Sequence, residues 1–241
     1  MAVHTYRELK PTPEAEAIYR RWLAQLNEDF TRHKSVDRRS EIVRDELYQM
    51  YLGRSHGGRV HAALTTELAS NVLAESFDPR NATLEPEYYG DVNAQEYAIR
   101  KPLIWFWQMF DRSPLGLNHW LGLRFRAMLG RHIFEHVGTG VKIHQGVDFT
   151  YGYNLKIGDC ATIRQRALLN DRGGIEIGHH AMIGSYARVY SITHAPDDFE
   201  AVTLVPTSIG AGARIGSHAI VRAGEHVAPG QVFGNFPLGR L

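Results

Sequence analysis

The sequence predicts a mainly β protein: a parallel β-helix made of six-residue repeats, preceded by an α-helical region. Three observations predict it. From residue 137 an aliphatic or aromatic marker recurs in steps of six, at Val137, Ile143, Phe149, Ile157, Ile163 and Leu169, then Ile177, Ile183, Val189, Ile209, Ile215, Val221, Val227 and Phe233. Four residues after many of these stands an alanine: Ala161, Ala167, Ala181, Ala187, Ala213 and Ala219. Ahead of residue 131 the apolar residues keep a helical spacing instead. Six is neither the helical period of 3.6 nor the strand period of 2, so the count marks a structural repeat. Three short strands then make one triangular coil, with the large marker inside and the small residue letting the chain turn a corner.

Taken in order, the elements begin with a helix opened by Thr12 and Pro13, a cap followed by a first-turn proline. Ile18, Trp22, Leu26 and Phe30 give it one apolar face. A second helix is expected from about Ser40 to Gly53, with Val43, Leu47 and Tyr51 inward. A third, carrying Val60, Leu64, Leu68 and Val72, ends at Asp78 and Pro79. Residues 79–97 read as a loop, and two short helices follow near 103–110 and 117–129. The stretch 101–130 mixes Trp and Phe with Arg. Such residues can line a membrane surface, or they can pack on the open first coil as the cap a solenoid needs; the cap is the favoured reading. Residues 1–130 are thus a helical region and 131–241 the β-helix.

The irregular steps carry the functional signal. The marker spacing widens to eight at Phe149→Ile157 and Leu169→Ile177, and to twenty at Val189→Ile209. Each widening follows a third hexad, so all three insertions fall on one vertical edge. Insertions on one face of a solenoid commonly mark its functional face. The largest is an inserted loop at 195–207, and His194 stands at its base.

Composition excludes several classes. The chain has 241 residues, 27 Lys and Arg against 26 Asp and Glu, and a formal net charge of +1, so no nucleic-acid partner is expected. The single cysteine, Cys160, excludes an intrachain disulfide and suits a reducing compartment. Residues 1–22 lack a signal-peptide pattern, and a cytoplasmic location is expected.

The segments YGYNLKIGD (151–159), IEIGHHAMIGSYARVYSITHAPDD (175–198) and TSIGAGARIGSHAIV (207–221) resemble the hexapeptide-repeat acyltransferases, most of all the maltose and galactoside O-acetyltransferases. The resemblance covers about 131–221 and extends to GNFP at 234–237. It implies a left-handed β-helix, a homotrimer with active sites between subunits, acetyl-CoA as donor and a saccharide hydroxyl as acceptor. No metal is implied.

An alcohol is a poor nucleophile near neutral pH, and transfer from a thioester needs a base, for which imidazole is the usual choice. In the family a histidine in a T-H-P-like tripeptide does this, and Thr193-His194-Ala195 matches it, with Pro196 displaced by one. Asp197 and Asp198 read as turn residues or as carboxylates that orient the imidazole. An oxyanion donor is implied at the backbone N–H of Ser217, within Ile215-Gly216-Ser217. The family's acceptor-contacting asparagine aligns with Arg164, and its acidic sugar-site residue with Asp171, which reads equally as a corner-turning aspartate. Arg164 and Arg166 alter the pocket charge and suit an anionic or phosphorylated acceptor, and they read also as two solvated arginines on one solenoid face. Arg214 replaces a family tryptophan and, with Gly216 and Ser217, falls at the implied CoA site, where it could meet phosphates. The solenoid is about one coil shorter than in the family.

Other functions share the repeats. A γ-carbonic-anhydrase-like zinc enzyme needs three suitably placed histidines, and His179, His180, His194, His218 and His226 lack that family's ligand spacing. A non-catalytic trimeric scaffold would not need His194. Serine acetyltransferases also join helices to a β-helix, but their HQSVTLGG-like stretch is absent. Cys160 falls on a different face from His194, which argues against a covalent route.

Overall fold

The computed structural model describes residues 9–56 and 68–234. Its helical part contains α1 (Pro13–Arg32), α2 (Val36–Leu52), α3 (Leu68–Ser76), a 3-10 turn (Glu85–Tyr88), α4 (Ala94–Arg112), α5 (Pro114–Leu117) and α6 (His119–Ile133). Thr12 accepts the Ala15 N–H at 3.4 Å, so α1 starts where its cap predicts. Its inner face is turned from the expected one: Leu23, Leu26 and Phe30 are buried while Ile18 is 66% exposed. The second helix begins earlier than Ser40, because Ser35 accepts the Arg38 N–H. It ends at Gly53, whose φ of +65° suits a residue without a Cβ. Of the third helix, Val60 and Leu64 lie outside the described residues, Val72 is exposed, and Ala74 and Phe77 face inward.

The largest departure from the sequence reading is α4. It begins inside the expected loop, capped by Asn93 on the Glu96 N–H at 3.2 Å, and runs through the expected helix at 103–110. Pro102 lies within it and removes one rung of the helical ladder. Packing outweighs that loss, since Tyr97, Leu103, Ile104, Phe106, Trp107 and Phe110 are all buried. The last helix, α6, continues three residues past the expected boundary, to Ile133.

From His136 the chain winds as a parallel β-helix whose strands form three stacked sheets. The first holds β1 (His136–Val137), β4 (Leu155–Ile157), β7 (Ile175–Ile177), β12 (Thr207–Ile209) and β15 (His226–Val227). The second holds β2 (Lys142–Ile143), β5 (Thr162–Ile163), β8 (Met182–Ile183), β13 (Arg214–Ile215) and β16 (Val232–Phe233). The third holds β3 (Asp148–Phe149), β6 (Leu168–Asn170), β9 (Arg188–Tyr190) and β14 (Ile220–Val221). Every predicted marker stacks on its predecessor: Val137, Ile157, Ile177, Ile209 and Val227 in the first sheet, Ile143, Ile163, Ile183, Ile215 and Phe233 in the second, and Phe149, Leu169, Val189 and Val221 in the third. The interior is therefore filled by three stacks of mostly aliphatic side chains, with Phe149 in the first coil and Phe233 in the last, a β-helix as the hexad count predicts.

Two strands stand apart. β10 (Ile192–Ala195) and β11 (Asp198–Leu204) form an antiparallel hairpin, so the large insertion is an ordered excursion over 192–204 and Thr207 already belongs to the next coil. All the insertions leave from the edge joining the third sheet to the first, as the spacing predicts.

The aromatic helices close the open end of the solenoid. Trp107 and Phe134 both pack edge-on against Phe149 of the first coil, with centroids 5.4 and 4.8 Å away. Three residues further along α4, Phe110 stacks on Phe125 at 3.7 Å. The broad aromatic face of α4 is thus used within the chain, against the first coil and against α6. Among the described residues no helix is long and apolar enough to cross a membrane. A buried ion pair fastens the cap: Arg126, 2% exposed, donates to Asp111 Oδ1 at 2.7 Å and to the Gly116 carbonyl at 2.8 Å. Asp111 Oδ2 in turn accepts the Gly146 N–H of the first coil at 2.8 Å. Removing one partner of such a pair strands a buried charge, so Arg126→Met is expected to cost about 3–5 kcal/mol of stability. Urea unfolding measures this, and a loss below about 1 kcal/mol, the size of an exposed pair, would mean the clasp does not hold the cap.

Candidate functional site

The expected site residues fall on two different edges. His194 lies on β10 of the hairpin, exposed and opposite Val202, with a register shift between His194 and Ala195. The hairpin's base is tied down firmly. Val205 N–H donates to the Ser191 carbonyl at 2.8 Å, and Ser191 N–H donates to the Asn170 carbonyl of the coil below at 3.0 Å. The buried Ser191 hydroxyl also donates to Asn170 and accepts the Gly173 N–H at 2.8 Å. Gly173 is required there, because a Cβ would sit 2.2 Å from the Ser191 carbonyl oxygen. His194 therefore projects three residues beyond a fixed point. Asp198 accepts the N–H groups of Glu200 and Ala201 at 3.0 and 3.3 Å, which gives it a turn-forming role.

Asp171 sits lower on the same edge and requires a correction. It is fully buried, and its Oδ1 accepts the N–H groups of Thr150 and Tyr151 at 2.9 and 2.8 Å. Burial pushes its pKa up to about 6. It is the corner tie of the coil below, with no surface for an acceptor sugar. Beside it Arg172 pairs with Asp91 of the helical region and lies over the Tyr89 ring at 4.2 Å, so the cap also grips this edge.

The second edge joins the second sheet to the third. In successive coils its turns read His144-Gln145-Gly146, Arg164-Gln165-Arg166, Gly184-Ser185-Tyr186 and Gly216-Ser217-His218. The third residue of each turn has positive φ, including the non-glycines Arg166, Tyr186 and His218 at 56°, 59° and 61°. The Tyr186 and His218 rings stack at 5.0 Å with a 2° interplanar angle. Gly184 is needed because a Cβ would meet Ser217 N at 2.5 Å. Among the described residues the Ser217 N–H donates to no group, and the same holds for Ser185 and Gln165. A donor at this turn is thus a property of the edge as a whole.

Arg164 is half-buried two rungs below Gly216, about 10 Å at the usual strand spacing. With His119 it adds to burial in lowering the His144 pKa to about 4. Arg214 is exposed on β13, immediately before this corner. The structure therefore gathers Arg164, Arg214, Gly216 and Ser217 on one edge and leaves His194 on another. From Ser185 to Tyr190, across the third sheet, is roughly 17 Å of extended chain. Cys160 is exposed on the remaining edge, with φ +57°. Among the described residues no group of three His, Cys, Asp or Glu side chains is arranged to hold a metal ion.

Sequence reasoning missed one feature. Between α4 and the third sheet runs a cleft of about 690 Å³, bordered by Gln108 and Arg112 from the helix, Gln145 and Arg166 from the second–third edge, and Asp148 and Arg188 from the sheet. Arg188 precedes the marker Val189, so its outward direction was legible. The place of Arg112 was not, because nothing local fixes how a cap helix is set on a solenoid.

No family model matches the chain. It is 32% identical over 141 residues to a protein of Escherichia coli (strain K12) named as the colanic acid biosynthesis acetyltransferase WcaF, covering 57% of this chain and 74% of that protein. It is 30% identical over 126 residues to Nodulation protein L of Rhizobium meliloti (strain 1021), covering 48% of this chain and 67% of that protein. Among solved structures it resembles a hexapeptide-repeat-containing acetyltransferase of Vibrio cholerae O1 biovar eltor, complexed with acetyl coenzyme A. That likeness has a TM-score of 0.51 and 21% identity, over 64% of this chain and 82% of the other, and it speaks to the fold.

Proposed function

The chain belongs to the hexapeptide-repeat acetyltransferases, and on that premise we propose that it moves an acetyl group from acetyl-CoA to a hydroxyl of a saccharide or glycoconjugate, at sites shared between copies of a cytoplasmic homotrimer. The relative named for colanic acid biosynthesis supports a saccharide acceptor. One observation carries the shared site: His194 and the Ser217 turn stand on different edges, separated by the width of a sheet. To address the same carbon atom within one chain they would have to reach across that sheet. A three-fold axis that sets the hairpin edge of one copy against the second–third edge of the next brings them together, and closed rings of this kind are a favoured assembly.

The chemistry then follows from the two edges. His194 removes the proton of the acceptor hydroxyl as its oxygen attacks the thioester carbonyl. The N–H of Ser217 from the neighbouring copy stabilises the oxyanion of the tetrahedral intermediate. Collapse forms the ester and breaks the carbon–sulfur bond, and the imidazolium returns its proton to the departing CoA thiolate. Arg214, exposed beside that corner, suits a CoA phosphate. Arg164 faces the acceptor from the rungs below.

Thiol release from acetyl-CoA, followed across sugars, phosphosugars and nucleotide sugars, tests the reaction. Light scattering tests the assembly, with an expected mass three times the 27.2 kDa of the chain. A stable monomer at micromolar concentration would remove the shared site.

A further inference from the structure

The cleft between α4 and the third sheet has a charge that the acetyl-transfer chemistry does not use. Arg112, Arg166 and Arg188 all border it, and among the described residues none of the three is paired with a carboxylate. They come from three separate elements: the last turn of α4, the second–third edge and the outer face of β9. Of the carboxylates nearby, Asp111 is committed to Arg126 and to the Gly146 N–H. Asp148, on β3, accepts its own strand's Phe149 N–H at 3.0 Å, and desolvation raises its pKa against the pull of that hydrogen bond and of the nearby Arg112 charge. Glu85, close enough to add to that rise, also accepts the Tyr89 hydroxyl at 2.5 Å. Gln108 and Gln145 supply neutral polar groups at the rim.

Three arginines bordering one cleft, of which Arg166 also lies over the Tyr186 ring at 5.8 Å, outnumber what a carboxylate can use, since one planar fork already satisfies both of its oxygens. A phosphoryl or pyrophosphoryl group offers oxygens in several directions and fits donors arriving from several sides. Asp148, Leu168 and Arg188 are in register on successive rungs, so Arg188 stands about 10 Å above Asp148 along the cleft. The volume of about 690 Å³ lies in the range of small-molecule sites and exceeds what a single hydroxyl needs. The cleft also opens on the same edge as Ser217, below it.

We infer that this cleft holds the phosphoryl part of a phosphorylated saccharide acceptor, its sugar extending up the edge toward Ser217. This rests on the acetyl-transfer reading for the word acceptor, whereas the anion site itself does not.

Two exposed arginines give the test, through Arg112→Gln, Arg188→Gln and the double variant. Acetylation of sugar phosphates and nucleoside diphosphate sugars is compared with that of the same sugars without phosphate, and inorganic pyrophosphate binding is measured by calorimetry on the intact assembly. The wild type is expected to prefer the phosphorylated acceptors, and each substitution to raise their KM roughly ten- to hundredfold, the range for a lost hydrogen bond to a charged group. The KM for acetyl-CoA should not change. Pyrophosphate binding should weaken by a similar factor and should survive saturating CoA. Equal use of sugars with and without phosphate, unchanged pyrophosphate affinity in the double variant, or displacement of pyrophosphate by CoA would each overturn the inference, the last by assigning the arginines to the donor. If no acceptor releases thiol while pyrophosphate still binds through these arginines, acetyl transfer fails and the anion site stands.

Discussion

Replacing His194 with alanine is expected to lower acetyl transfer by roughly 10²- to 10⁴-fold, the range for loss of a general base. The assembly should be unchanged, because the side chain is exposed and the base of the hairpin is tied at Ser191 and Val205. His218→Ala is the control. That ring stacks on Tyr186, and the proposed reaction uses the backbone N–H beside it rather than the imidazole, so its loss should cost far less. Wild-type turnover in His194→Ala on a confirmed acceptor would return the protein to the scaffold reading.

The second large effect is expected from a backbone change. Ser217→Pro deletes the N–H assigned to the oxyanion, and the turn can accept it. Pro229 already occupies the equivalent turn position, before Gly230 at φ +71°, and its nitrogen lies 2.5 Å from where a Cβ on Gly210 would be. Ser217 N has the same relation to Gly184, at the same 2.5 Å, and His218 follows it at φ +61°. Proline at the second position of a turn whose third residue has positive φ is a common arrangement. No described hydrogen bond is lost. A fall of roughly 10²- to 10³-fold in kcat is expected, as for other lost oxyanion donors, while Ser217→Ala should stay near wild type. If proline and alanine behave alike, the donor lies elsewhere.

The β-helix was legible because its constraint is local and repeated. A marker such as Ile163 must face inward wherever the coil is placed, and each widened step could only leave from the edge after a third hexad. The corner turns were legible for the same reason. The helices were less so. Ile18 and Leu23 are both apolar, and only the packing of α1 on α6 decides which is buried. The start of α4 inside the expected loop at 79–97 was not legible, because the packing of its aromatics, which outweighs the hydrogen bond missing at Pro102, is a long-range relation. Asp171 shows the limit of carrying a role over by position. Its alignment pointed to a sugar, whereas two backbone N–H groups of the preceding corner claim its carboxylate. The large insertion could be located but not shaped, since the pairing of β10 with β11 has no strong turn signature at Pro196-Asp197. The arginine cleft needed the set of α4 on the first coil, a long-range relation that no local pattern carries.

The central claim is that one copy supplies His194 and its neighbour supplies the Ser217 turn. Co-assembly of His194→Ala with Ser217→Pro chains measures it most directly. A site is whole only where an intact hairpin edge meets an intact turn edge, so an equal random mixture should recover about a quarter of the wild-type rate from two nearly inactive parents in a closed ring. Recovery of that size is the predicted result. Mixed assemblies no more active than either parent would contradict the account, because sites contained within single chains gain nothing from mixing.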